Sequence, residues 1–175
     1  KDSCYFLIDE SEAASQTVEF NNVPAGKYVS VTFTIGVDSL KSTAPASERT
    51  GVLDIVTHSD MYWVWNSGYI FVKTEGSFSA APGTEFMYHI GGFGGYSSPT
   101  TNNIRTITLT FPSGVESFGS NNHKSLHTVV DALKVVNGPN NISVPTTPVV
   151  MGGPNAPKIA ENYKNMFSID HIHAE

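Results

Sequence analysis

An all-β fold, an antiparallel β-sandwich with long loops and one short C-terminal helix, is what this sequence predicts. Three observations carry the prediction. Val29, Val31, Phe33 and Ile35 alternate with Ser30, Thr32 and Thr34, and Ile107, Leu109 and Phe111 again stand two apart, the period of a half-buried strand. Charged residues make up only 15% of the chain and aromatics 11%, and β-branched and aromatic side chains suit a pleated surface. Helical spacing appears once, near the C-terminus. At 175 residues the chain is long enough for one domain with a core, so residues 1–175 read as a single sandwich domain.

Taken in order, Tyr5–Asp9 reads as a short strand and Thr17–Phe20 as a second, with a turn at Asn21-Asn22. Pro24 and Gly26 make a tight connection into Tyr28–Val37, the clearest strand. Residues 38–60 are loop-like and hold His58, Glu48, Asp54 and Asp60; a loop this long in a compact domain is functional or surface-wrapping. Tyr69–Glu75 is the next strand, Pro82-Gly83 a turn, and Glu85–Ile90 the strand that ends in Tyr88-His89-Ile90. Ile104–Phe111 alternates, residues 113–124 form a polar connection, and His127–Val136 reads as a strand with Val129 and Val135 on one face. Asn155 is placed to cap a helix with Pro157 in its first turn. Ile159, Tyr163, Met166 and Phe167 then form its apolar stripe.

Composition excludes several functions. A net charge of −6 argues against nucleic-acid partners, which need a basic face. No apolar run approaches the ~20 residues of a membrane-spanning helix. The single cysteine, Cys4, leaves no internal disulfide and reads as a buried thiol. No Gly-x-Ser-x-Gly elbow, His-Glu-x-x-His pair or phosphate-binding loop is present, so the expectation is a protein that is not an enzyme.

The densest chemistry lies in Met61–Phe71, which holds both tryptophans, and in Tyr88-His89-Ile90-Gly91-Gly92. In extended chain Met61, Trp63 and Trp65 share one face, and so do Met87 and His89. Thioethers, an imidazole and indoles on neighbouring surfaces suit a thiophilic ion such as Cu(I). His171 and His173 also share a face if the tail is extended. His58, His123 and His127 stand in polar surroundings and carry no individual signal. The same tryptophans and methionines suit a packed core equally, so residue chemistry alone leaves metal site and core wall both open.

Several segments occur together in order: Val23–Tyr28, Phe33–Asp38, Met61–Tyr69, Tyr88–Gly91, and the closing Met166–His173. They resemble the MbnP family, copper-associated proteins of the bacterial cell envelope related to the methanotroph copper-binding proteins. The ending is similar to that of a Bacteroidetes branch, and the family's N-terminal portion would precede Lys1. The resemblance implies a β-rich fold and copper held through histidines. In some members it also implies a tryptophan oxidised by a dihaem peroxidase-like partner. His89 matches the histidine of the family's aromatic-His-aliphatic-Gly motif, and Trp63 and Trp65 match its tryptophan pair. His171 and His173 belong to the branch's own tail motif. The chain departs from the methanotroph pattern in two ways. It has no cysteine pair after the His-Gly segment and no histidine close to Trp63, for which His58 is the nearest substitute.

The expectation is a non-catalytic, extracytoplasmic copper-binding protein of the periplasm or outer-membrane surface. His89 is its anchor ligand, and His171, His173 and His58 are further candidates. Trp63, Trp65, Met61 and Met87 form the wall. The competing reading is a structural or interaction module of an outer-membrane receptor complex with lost or weakened metal binding. A third is a carbohydrate-binding sandwich, which requires exposed Tyr62, Trp63 or Trp65.

Overall fold

The computed structural model describes residues 4–64, 68–79, 82–119 and 123–174. Its elements in order are β1 (Gly26–Tyr28), β2 (Ser30–Ile35), α1 (Ser39–Ser42), β3 (Tyr62–Trp63), β4 (Gly68–Ser77) and β5 (Glu85–Gly91). There follow β6 (Arg105–Thr110), β7 (Glu116–Phe118), β8 (Lys124–Val130), β9 (Val149–Val150), α2 (Ala156–Tyr163) and β10 (Phe167–Ala174). A sheet in the order β3-β4-β5-β9 is antiparallel except for the β5–β9 pair. Three antiparallel ribbons, β1–β7, β2–β6 and β8–β10, complete a mostly-β, sandwich-like architecture.

The main core forms where α2 lies on β5. Ile159, Ala160 and Tyr163 of the helix are fully buried with Tyr88 and Ile90 of the strand, and Val135, Ile142 and Val150 close the cluster. Burying a side chain such as Ile159 contributes about 1.5–3 kcal/mol. The polar side chains of Asn162, Tyr88 and Tyr163 in this core are paired, as burial demands. The Asn162 amide donates to the carbonyls of Val135 (3.0 Å) and Asn140 (2.7 Å), and its oxygen accepts from Asn140 N–H at 2.8 Å. Tyr88 donates its hydroxyl to the Thr147 carbonyl at 2.7 Å, and Tyr163 donates to the Asn103 carbonyl. Burial raises the hydroxyl pKa of both tyrosines.

A second cluster packs the loop of residues 38–60 on β4. Val37, Leu53 and Tyr69 are buried, flanked by Tyr5, Tyr62 and Phe71. Arg49 donates to the Tyr62 hydroxyl (3.0 Å) and lies over the Tyr62 and Tyr69 rings. The loop is built from short turns and α1, which Asp38 caps by accepting from the Lys41 N–H at 3.0 Å.

Several expectations are corrected. Tyr5–Asp9 and Thr17–Phe20 are not strands; alternation there finds no neighbouring ladder, and residues 13–16 form a 3-10 turn instead. The strand expected at 28–37 is split at Val29, which is 56% exposed, although Val31, Phe33 and Ile35 do share the less exposed face. The polar connection contains β7, which pairs with β1. Val129 and Val135 do not share a strand face. Val129 is exposed on β8, whereas Val135 is buried in the 3-10 turn Ala132–Val135. Phe167 belongs to β10 rather than to the helix, and Asn155 precedes α2 without a side-chain cap bond. Cys4 is partly exposed.

Candidate metal centre

The tryptophan segment and the histidine segment do lie side by side. In β3 and β4, Tyr62 pairs with Tyr69 and Trp63 with Gly68, while Ile70 of β4 pairs with Gly91 of β5. Trp63 is only 6% exposed. Gly91 is what admits its ring: a Cβ there would stand 2.9 Å from the indole and run into the Tyr69 carbonyl. Close backbone approach is the physical reason for glycine after His89-Ile90. A buried Trp63 offers no platform to a sugar. Trp65 lies outside the described residues.

His89 faces away from the α2 core, since Tyr88 and Ile90 take the other side of β5. Its side chain is 12% exposed, and its Nε2 stands 2.6 Å from the Glu75 carboxylate on β4. Met87 sits two residues earlier, opposite Glu75. Met61 ends the 3-10 turn Ser59–Met61, which His58 precedes. Among the described residues, neither His89 nor His58 belongs to a group of three convergent His, Cys, Asp or Glu ligands.

One such group exists, on the β8–β10 ribbon. His171 pairs directly across from His127, and His173 pairs with Ser125. Directly opposed residues of an antiparallel pair share a face, so His127, His171 and His173 come together. One potential ligand atom from each lies within 4.8 Å of the others, and all three residues are exposed. The rings are stacked, with His127 and His171 centroids 4.3 Å apart and planes within 7°, and His127 and His173 centroids 4.9 Å apart.

A bulge creates this alignment. The register steps from Ile169↔Thr128 to His171↔His127, leaving Asp170 without a partner. An extra residue inverts the alternation beyond it. Ile169 and Ile172, opposite Thr128 and Leu126, therefore keep to one face although three residues apart. His171 and His173 go to the other face, with His127. The Asp170 carboxylate stands 2.8 Å from His171 Nδ1. A cleft lined by Pro112, Ser113, Glu116, Asp170, His171 and Ile172 borders the group. There Glu116 is held by Lys124 and accepts from the Ser113 hydroxyl at 2.6 Å, and these bonds lower its pKa.

The sequence model of the MbnP family matches residues 1–152. The chain belongs to the MbnP family. No curated protein and no solved structure matches it. The MbnP match takes in Trp63, His89 and His127 and ends before α2 and β10. Two of the three clustered histidines thus lie beyond the matched residues. Sequence reasoning found His171 and His173 from their spacing but missed His127, whose signal is the strand partner and not its own neighbours.

Proposed function

We propose that this MbnP-family protein is a non-catalytic, extracytoplasmic copper-binding protein that holds its ion through His127, His171 and His173. The convergence of three imidazoles on one ribbon face carries the reading. Metal–imidazole bonds of about 2.0–2.1 Å put neighbouring nitrogens roughly 2.9 Å apart in the tetragonal geometry of Cu(II) and roughly 3.4 Å apart in a tetrahedral site. Separations within 4.8 Å close to that when the stacked rings turn so that their in-plane lone pairs converge, a rearrangement open to exposed side chains. A nitrogen-only donor set favours Cu(II) over the other divalent first-row ions, because copper stands highest in the affinity order. The net charge of −6 also favours cation capture.

Metal analysis and Cu(II) titration of the purified protein test this. About one copper per chain is expected. It should be lost when His127, His171 and His173 are all replaced by Ala, and kept in His89→Ala, since His89 belongs to no group of three convergent ligands among the described residues. Folded wild-type protein that takes up no copper, oxidised or reduced, would sink the proposal. Copper lost in His89→Ala but retained in the triple variant would return the site to the tryptophan segment.

A further inference from the structure

We infer that Asp170 is the positioning residue of the three-histidine group: it accepts a hydrogen bond from the Nδ1–H of His171 and so presents Nε2 as the ligand atom. The inference rests on the copper-binding reading and deepens it. Its geometry is independent of any ion. Asp170 Oδ2 stands 2.8 Å from His171 Nδ1, a hydrogen-bond distance. A neutral imidazole donates from one nitrogen and accepts at the other, so a carboxylate at Nδ1 selects the tautomer whose lone pair is on Nε2. Carboxylate–histidine–metal relays of this kind fix the orientation of the ligating ring and raise its basicity.

The backbone supports the assignment. Asp170 is the bulge residue, without a cross-strand partner, and bulges are used to re-aim side chains beside functional sites. The same residue therefore turns His171 and His173 onto the face of His127 and holds the His171 ring. His127 and His173 show no carboxylate partner of their own among the described bonds and ion pairs, so the orienting group acts on one ligand of the three. The side chains of Asp170 and His171 are 62% and 52% exposed, which lets substitution at Asp170 test the role without opening a core.

The experiment compares wild type, Asp170→Ala and Asp170→Asn by long-range 1H–15N NMR of the histidine rings, metal-free and Zn(II)-loaded at mildly alkaline pH, alongside copper affinity. Wild-type His171 is expected as the Nδ1–H tautomer without metal, with Nε2 on the ion when loaded. Asp170→Ala should mix the tautomers and raise the copper Kd about 10- to 100-fold. Asp170→Asn, whose amide oxygen still accepts from Nδ1–H, should keep the tautomer with a smaller loss. Metal bound at Nδ1 of His171, or an Asp170→Ala protein with unchanged tautomer and Kd, overturns the inference. Absence of copper uptake in the wild type would overturn the functional reading instead, and the metal-free tautomer would still decide the role of Asp170.

Discussion

At the residue scale, Gly91 and His127 show what neighbouring sequence can and cannot reveal. Glycine after Tyr88-His89-Ile90 stands where Trp63 and the Tyr69 carbonyl leave no room for a methyl group. Gly91→Ala must push the indole or the strand aside, and overpacking of this kind costs about 1–3 kcal/mol. The expected outcome is a lower urea midpoint together with a shifted tryptophan emission, measured by equilibrium unfolding. An unchanged midpoint would mean that Trp63 yields without cost. That Trp63 and the His89 strand adjoin was legible in the sequence, because both segments are rich in buried aromatic and aliphatic residues. The site was legible only in part. His171 and His173 announce themselves by their two-residue spacing, but His127 acquires meaning only through its pairing with His171. No local pattern encodes that register. His89, prominent for its motif, pairs with Glu75 at 2.6 Å.

At the scale of elements, alternation guided the reading where one face of a strand stays less exposed than the other. β2 and β6 were legible because each keeps one less exposed face along six paired residues, whereas β4 is buried at Gly68, Tyr69 and Ile70 in succession. β1, β7 and β9 are two or three residues long and too short for a period to show. Tyr5–Asp9 has a strand's composition without a strand's partner. β10 carries the more informative case. Ile169 and Ile172 are three apart, which looks like a broken alternation until the Asp170 bulge restores them to one face. Deleting Asp170 removes the extra residue and should reverse the phase of everything beyond it. His171 and His173 would then leave the face of His127, or the ribbon would slip to keep them there. The expected result is a circular dichroism spectrum close to wild type with copper uptake abolished, read by titration. Full-strength binding in the deletion variant would show that the ligands do not depend on the bulge.

At the scale of the whole molecule, a protonic linkage couples chemistry to stability. Burial tends to raise the pKa of Asp38, but hydrogen bonds from the Tyr5 hydroxyl and from backbone N–H groups, Lys41 included, outweigh it and leave the value lowered. Glu116 is lowered by Lys124 and Ser113. A carboxylate lowered in the folded state adds stability above its unfolded pKa of about 4, and that stability is lost as pH falls through the folded value. Unfolding midpoints should therefore drop below about pH 4, and Asp38→Asn should flatten that limb while lowering stability at neutral pH. The proposed copper site would add a second, metallic linkage. His127 and His171 stand on strands that α2 separates in sequence, so one ion bound to both ties β8 to β10 only when the ribbon is folded. That ribbon meets the rest of the protein through the Phe33–Phe167 ring contact (5.0 Å) and the Lys124–Glu116 ion pair, while the Asp131 N–H to Met166 carbonyl bond at 2.8 Å ties its ends. An ion that binds the native state alone stabilises it by about 2.7 kcal/mol at a hundred times its Kd. Copper should accordingly raise Tm, and Phe167→Ala should lower the metal-free Tm by weakening the ribbon's anchorage. If the ribbon melts together with the body, the copper-induced increment survives in Phe167→Ala. If scanning calorimetry instead resolves two transitions, with copper shifting only the lower, the ribbon unfolds on its own, and the ion stabilises the site without stabilising the fold.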